Sequence, residues 1–258
     1  MIENTDFSKS EQYTLSIRLS TDGFSFSITD ESATEITFHT WKTNETLSLN
    51  ANLKQAFLDL EWLKRPFKRV NVIMANKRFT LVPLEYFEDE LTETFFYHNL
   101  PEKENETVEY NILHRSNVVV LFGMDKSARN YLREQYDNLK FYSQVTPFME
   151  HVTTLNRTAH NSKLYIHLRN KALDSLAYQG SKLLLANSFD CRNISDYLYY
   201  ILYLWKQLSF DQEKDELCLT GSVAGKEQLV AELKKFIEKV SYLEPTSDLD
   251  LKTIVTCE

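Results

Sequence analysis

Glycine and proline are both scarce in this chain, with five of each among its 258 residues. A chain with so little of either residue has few flexible linkers and few special turns. The scarcity of glycine also leaves little material for loops that hold phosphate groups with backbone amides. Cysteine is rare as well, since Cys191, Cys218 and Cys257 are the whole set. Their odd number and wide spacing exclude a disulfide framework and indicate a reducing compartment.

Basic runs, membrane-spanning stretches and metal-ligand spacings are also missing. The net charge is −8, and an acidic surface repels a nucleic-acid backbone. The most apolar stretch, residues 194–208, is too short and too polar to cross a bilayer. The N-terminal residues show no signal-peptide pattern, and the six histidines have no ligand spacing. We therefore expect a cytoplasmic protein with no nucleic-acid partner, no membrane span and no metal site.

What the chain does contain is the pattern of an α/β protein. Hydrophobic residues make up 43% of it and charged residues 26%, which is typical of a globular protein. Residues 13–20 and 24–30 alternate between apolar and polar, which predicts two half-buried strands joined by a hairpin at Asp22-Gly23. The other elements predicted up to residue 136 are strands at 35–41, 69–75, 79–82 and 118–122, and helices at 52–64, 84–97 and 125–136, the last capped by Asp125.

The second part of the chain repeats this order. Its predicted elements are strands at 164–168, 172–178, 182–187, 216–220 and 253–256, and helices at 193–208 and 225–240. Three strands, a helix, a strand, a helix and a strand thus occur twice, which indicates a duplicated fold with two sheets. We expect a first half at residues 1–150 and a second at 151–258, joined through a connecting helix at 146–159.

A duplicated βββαβα order resembles the actin-like ATPase superfamily, whose halves have a ribonuclease H-like fold. The chain also resembles an uncharacterised bacterial family of this fold with degenerate nucleotide-binding motifs. The resemblance implies an α/β protein made of two ribonuclease H-like βββαβα halves arranged as in actin-like ATPases. It also implies a nucleotide site between the halves, made by two hairpin loops and one loop that precedes a helix.

The three matching loops contain the candidate nucleotide-binding residues. These are Ser20, Thr21, Asp22 and Gly23 in the first, Arg169, Asn170 and Lys171 in the second, and Thr220, Gly221, Ser222 and Gly225 in the third. Active members show Asp-x-Gly at the end of each leading strand, where the acid positions Mg²⁺ or water. This chain has Arg18 and Ser20 in those positions of the first strand, and His167 and Arg169 in the second. The third loop matches best, although Ser222 replaces one of two paired glycines.

The missing acids decide the functional expectation. We expect a non-catalytic or weakly nucleotide-binding actin-like protein that acts through protein interaction or regulation, with a partner of unidentified nature. No cofactor follows from the residues themselves; the resemblance implies ATP with Mg²⁺ for any member whose site still works. The alternative is an active ATPase or small-molecule kinase that uses other acids, for instance Asp22 and Asp174. A ribonuclease H-like nuclease is disfavoured, because it needs acids clustered at strand ends.

Four tyrosines on the helix at 193–208 leave a further choice open. Tyr197 falls on the apolar stripe of that helix, which predicts burial in the core. Tyr199 and Tyr203 lie four residues apart, so they share a face of the helix. Burial in the core or between domains is the favoured interpretation for this face, and an exposed partner surface is the alternative.

Overall fold

The chain folds into two compact units in the computed structural model. The first comprises Met1–Thr146 with Asp250–Glu258, and the second comprises Pro147–Leu249. The structure describes residues 6–21, 23–30, 36–156, 161–243, 248–254 and 257. The two units are defined by their compactness, whereas the boundary predicted after residue 150 separates two actin-like halves. That boundary therefore stays a prediction.

A five-stranded sheet forms the base of the first unit. Its strands are β1 (Thr14–Ser20), β2 (Gly23–Thr29), β3 (Ile36–Trp41), β4 (Arg69–Met74) and β8 (Leu139–Ser143), in the order β3-β2-β1-β4-β8. The first three strands form an antiparallel meander, while β4 runs parallel to both β1 and β8. The helices α1 (Leu49–Asp59) and α3 (Lys126–Gln135) contact each other and lead into the parallel strands β4 and β8, respectively.

The second unit contains a sheet of the same design. Its strands are β9 (Ser162–Arg169), β10 (Ala172–Gln179), β11 (Lys182–Asp190), β12 (Glu216–Gly221) and β13 (Lys239–Tyr242), in the order β11-β10-β9-β12-β13. Helices α4 (Val145–Leu155), α5 (Ile194–Gln207), α6 (Lys226–Leu233) and α7 (Leu249–Thr253) complete the larger elements of the chain. The matching strand orders confirm the duplication that the sequence predicts.

A separate three-stranded sheet is inserted in the first unit after β4. Its elements are β5 (Phe79–Pro83), α2 (Thr92–Asn99), β6 (Glu106–Leu113) and β7 (Val118–Asp125). The three strands are antiparallel, in the order β5-β7-β6. The strand predicted at 118–122 is therefore central in this small sheet, and β6 was not predicted because its polar residues mask the strand pattern. The helix predicted at 84–97 is wrong over its first half, where two short 3-10 helices precede α2.

The edge strand β8 (Leu139–Ser143) was also not predicted, and the other elements that differ from prediction lie near the C-terminus. The helix predicted at 225–240 ends at Leu233, and Lys239–Tyr242 instead pairs with β12 in parallel. Residues up to Val240 keep a helical apolar period, but pairing at the sheet edge outweighs that local preference. The last strand, predicted at 253–256, is wrong where it is described, since Thr253 ends α7. Residues 255 and 256 lie outside the described residues.

The main sheet of the first unit is buried on both faces, although one of them is polar. Leu15, Ile17 and Leu19 of β1 point to the apolar face. On the opposite face, Ser16 is paired with Ser27 on one side and Asn71 on the other, and all three are fully buried. The prediction of half-buried strands is wrong for this reason.

The C-terminal residues provide an apolar cover next to this polar row. Leu251 and Ile254 cluster with Ile73 and Tyr142, which lie on the polar face of β4 and β8. Their burial requires this end of the chain to return to the first unit after the second unit is complete. Among the described residues, no helix is long and apolar enough to cross a membrane.

Two serines of β2 offer a matched test of this polar face. Ser27 is fully buried, and its hydroxyl has no hydrogen-bond partner among the described residues. We expect Ser27→Ala to raise the free energy of unfolding by about 1 kcal/mol, because a buried, unpaired hydroxyl is costly. Ser25 accepts a hydrogen bond from Arg18 Nη2 at 3.0 Å, so Ser25→Ala should lower it by about 1.5 kcal/mol. Urea unfolding measures both variants; equal losses in the two would contradict this account.

Candidate functional site

The first candidate loop joins β1 to β2. Ser20 and Gly23 are paired across the turn, and Thr21 is exposed at its tip. Asp22 lies outside the described residues. Two residues before the end of β1 lies Arg18, at the position to which the resemblance assigns an acid in active members of the superfamily.

The Arg18 guanidinium is bound to a carboxylate from the other end of the chain. Its Nη1 lies 2.8 Å from Asp250 Oδ1, while its Nη2 donates to Ser25. Asp250 is fully buried, whereas the Arg18 side chain keeps about a fifth of its surface exposed (19%). The acid position of β1 therefore holds a cation, whose counter-charge is already supplied within the first unit.

A cavity of about 250 Å³ opens at the carboxyl ends of the parallel strands β1 and β4. Ligands of α/β sheets commonly bind at such ends. Ser20 and Thr21 line it together with Asn76 after β4 and with residues of the inserted sheet, among them Arg78. Two of the predicted residues thus border a cavity within the first unit.

Arg78 is one of several charged residues that line this cavity, and its charge is already paired. Its Nε and Nη2 each lie 2.6 Å from an oxygen of Glu106, in a two-pronged ion pair. Gly123 admits the Glu106 carboxylate, since a Cβ there would stand 2.5 Å from Oε1. The arginine therefore shapes the cavity but is not available as a strong anion ligand.

The second candidate loop is the tight turn between β9 and β10. Arg169 pairs with Ala172 at the strand ends, and Asn170 and Lys171 form the turn, with Lys171 in the left-handed conformation at φ +58°. Arg169 Nε lies 2.6 Å from Asp174 Oδ2, and Nη2 lies 3.0 Å from Oδ1. This two-pronged pair fixes the loop from within its own hairpin.

Asp174 is fully buried, and the hairpin keeps it ionised. Desolvation alone would raise its pKa, but the charge and hydrogen bonds of Arg169 hold that pKa below the ordinary aspartate value. His167, in the acid position of β9, adds to this from 3.7 Å. The acid that the ATPase alternative relies on is therefore the partner of an arginine and a histidine.

The third candidate loop follows β12 beside the same hairpin. Because β12 runs parallel to β9, Thr220 is paired with His167 and Gly221 with Leu168. Gly221 has φ +80°, and a Cβ there would stand 2.0 Å from the Leu168 carbonyl oxygen. Only glycine fits this close approach of two backbones, so the residue is explained by the sheet itself.

The loop ends at the start of α6. Ser222 is exposed, and Gly225 is the N-cap residue of α6, without a side-chain cap. Lys226 Nζ donates to the Gly221 carbonyl oxygen at 2.7 Å and lies 5.1 Å from the centre of the Tyr242 ring. The ammonium group thus folds back over the loop and bonds to its backbone.

Each unit brings its own candidate residues together. In the second unit, the hairpin turn and the glycine loop leave neighbouring ends of β9 and β12. Within the described ranges, no group of three His, Cys, Asp or Glu side chains could hold a metal ion. Asp250 and Glu106 were not found from the sequence, since no motif marks them and both reach their partners from distant positions. The Asp125 cap of α3 is confirmed, with Oδ1 accepting from Ala128 N at 2.7 Å.

Two units with the same strand order, each with its loops at the carboxyl ends of its parallel strands, define the actin-like ATPase fold. A Bacteroides thetaiotaomicron protein described as having an actin-like ATPase fold and unknown function is 49% identical to this chain, with a TM-score of 0.92. The match covers 98% of this chain and 99% of that protein. The fold expected from the sequence is confirmed.

More distant structures share the fold alone. The PilM–PilN type IV pilus biogenesis complex matches with a TM-score of 0.56 at 10% identity, covering 95% of each chain. The ethanolamine utilization protein EutJ from Carboxydothermus hydrogenoformans matches at 0.53 and 8% identity, covering 95% of this chain and 90% of that one. None of the curated proteins matches in sequence. This chain belongs to the DUF3822 family, described as protein of unknown function, whose model matches residues 2–240.

The Arg169–Asp174 pair can be tested by removing its carboxylate. We expect Asp174→Asn to lower the free energy of unfolding by about 3–5 kcal/mol, because an arginine whose side chain is only 12% exposed loses its counter-charge. The matched control is Glu238→Gln, an exposed acid of the same unit, which should change it by less than about 0.5 kcal/mol. Chemical denaturation measures both; similar small effects would show that the pair does not hold the hairpin.

The same pair has a predicted pH dependence. The pKa of Asp174 is lower in the folded protein than its ordinary value of 3.8. Its stabilising contribution is therefore complete above about pH 4 and is lost as the pH falls through the lowered value. The difference in unfolding free energy between wild type and Asp174→Asn should stay constant from about pH 7 to 5 and shrink in more acidic solution. A difference that grows on acidification would contradict the assignment.

Proposed function

We propose that this chain is a non-catalytic actin-like protein that binds nucleotide weakly or not at all and acts through protein interaction or regulation. One observation carries the proposal. The two positions where the resemblance places an acid hold Arg18 and His167, each within 4 Å of a buried carboxylate: Asp250 from the C-terminal residues and Asp174 from the same hairpin, respectively. Neither position thus presents a carboxylate.

The missing carboxylates matter because phosphoryl transfer depends almost entirely on positioning and electrostatics. Mg²⁺ is held by carboxylates and by the phosphates themselves. An arginine at the end of β1 would repel the cation, and its own carboxylate partner is already hydrogen-bonded. The active ATPase or kinase therefore gains no support from Asp174, and Asp22 lies outside the described residues.

The remaining loop contacts also favour weak nucleotide binding. Lys226, the basic residue nearest the glycine loop in sequence, already donates to a backbone carbonyl. Arg169 is engaged by Asp174, and Lys171 is the other basic residue of the hairpin tip. If ATP with Mg²⁺ binds, we expect it to use this tip.

A reducing, cytoplasmic setting belongs to the same proposal. Cys191, Cys218 and Cys257 are all buried and none forms a disulfide. Burial raises the pKa of the Cys191 thiol to about 12 and that of Cys218 to about 11. Thiols of such high pKa are poor nucleophiles, which favours a packing role over redox chemistry.

Thermal unfolding with Mg²⁺-ATP tests the proposal. We expect millimolar Mg²⁺-ATP to leave the Tm within about 1 °C of its value in salt of equal ionic strength. A ligand at a hundred times its Kd would add about 2.7 kcal/mol, which raises the Tm by several degrees. Phosphate release measured on the same samples should not exceed the rate without protein.

The control variant is Lys171→Asn, which removes the charge at the hairpin tip while asparagine tolerates the left-handed backbone. A rise of several degrees in wild type that disappears in Lys171→Asn would contradict weak binding and establish a nucleotide site at this turn. Phosphate release in wild type would instead revive the ATPase alternative. Gly221 is unsuitable for this test, because any side chain there displaces β9.

A further inference from the structure

The outer face of α5 is aromatic and has no exposed acid. We define the α5 face as Arg192, just before the helix, with Ser195, Tyr199, Tyr203 and Lys206, all of which are exposed. The relative exposure of Tyr199 is 61% and that of Tyr203 is 46%. The favoured interpretation of these two tyrosines as buried is therefore wrong, while Tyr197 is buried as predicted.

The tyrosines of this face belong to a continuous row of rings. Tyr199 and Tyr203 are stacked with centroids 6.0 Å apart and ring planes 15° apart. Tyr200 contacts the Tyr199 ring at 5.2 Å and stacks on Phe189 of β11 at 4.4 Å. The row is thus supported from the sheet, so the exposed rings are held in place and lose little entropy when a partner binds.

The charge of the α5 face is opposite to that of the chain. The single acid of α5, Asp196, accepts hydrogen bonds from the backbone amides of Arg192 and Asn193 in a capping box. Arg192 and Lys206 form no ion pair among the described residues. Two cations therefore flank exposed tyrosines on a chain whose net charge is −8.

We propose that the α5 face docks an acidic segment of a partner protein, a proposal that rests on the interaction role proposed above. Tyrosine and arginine are the residues that dominate binding energy at protein interfaces. Exposed tyrosine rings give apolar contact, and their hydroxyls can donate to carboxylates. Lys206 and Arg192 at the two ends fix the sign of the partner's charge and steer its approach.

A second copy of the chain is a poorer occupant. A symmetric dimer brings the same patch together twice, so the two cations of one α5 face, Lys206 and Arg192, would lie against the same two cations of the other. Charge complementarity therefore favours a different, acidic protein.

A pair of peptides provides the probe. The first is a twelve-residue helical peptide with leucine along one face and glutamate on its flanks, and the second replaces each glutamate with lysine. Fluorescence anisotropy should show that the labelled acidic peptide binds the full chain at least about tenfold more tightly than its lysine twin. Tyr199→Ser with Tyr203→Ser should weaken binding about tenfold or more, and Lys206→Glu should also weaken it, most strongly at low salt.

Tyr86→Ser is the matched control, since Tyr86 is 65% exposed and lies in the first unit; it should leave binding unchanged within about twofold. Three results would each contradict docking of an acidic segment on the α5 face. They are equal binding of both peptides, no binding of the acidic peptide at millimolar concentration, and unchanged binding by a double variant that keeps the wild-type Tm. If the wild-type chain forms a dimer as its concentration rises and the double variant does not, the occupant of the α5 face is a second copy of the chain, and the proposal of an acidic partner is wrong. None of these results bears on the response to Mg²⁺-ATP, so the two proposals fail separately.

Discussion

A carboxylate fully removed from water must be paired with a cation, because its desolvation costs several kcal/mol. Asp174 and Asp250 are both fully buried, and an arginine meets each of them: Arg169 at the β9–β10 turn and Arg18 on β1. The first pair fixes a hairpin, and the second attaches the C-terminal residues to the leading strand of the first unit. Because the carboxylates of both pairs already contact arginines, neither is available to bind Mg²⁺ beside a phosphate. For this reason the function that we propose is the binding of a partner protein.

The fold itself leaves the function open. Structures that share it with this chain at 8–10% identity include a pilus biogenesis complex and an ethanolamine utilization protein. Function depends on the particular sites that a fold presents. Here the arginine and lysine side chains beside the candidate nucleotide loops make internal contacts, whereas the α5 face is exposed to solvent. The α5 face combines rigid aromatic rings with a charge opposite to that of the chain, which are the properties of an interface more than of a solvated surface.

Local patterns predicted much of the fold, because they reflect local constraints. Alternation identified β1 and β2, the helical period identified α5, and Asp125 identified the start of α3. Two errors have a common physical source. Val240 continues an apolar helical period but pairs in β13, and Ser16 alternates like a solvated residue but is fully buried. In both cases the structure of the residue is determined by a partner that is distant in sequence. A pattern of neighbouring residues contains no information about such a partner.

By itself, the sequence determined the duplicated order of strands and helices, the loops that correspond to a nucleotide site, and the absence of acids in their expected positions. Those features depend on residue type and spacing within short windows. Only the tertiary structure decided that Arg18 meets Asp250, that Arg169 neutralises Asp174, and that Tyr199 and Tyr203 face solvent. Such contacts depend on which segments the chain brings together, and Asp250 reaches Arg18 across 232 positions of sequence.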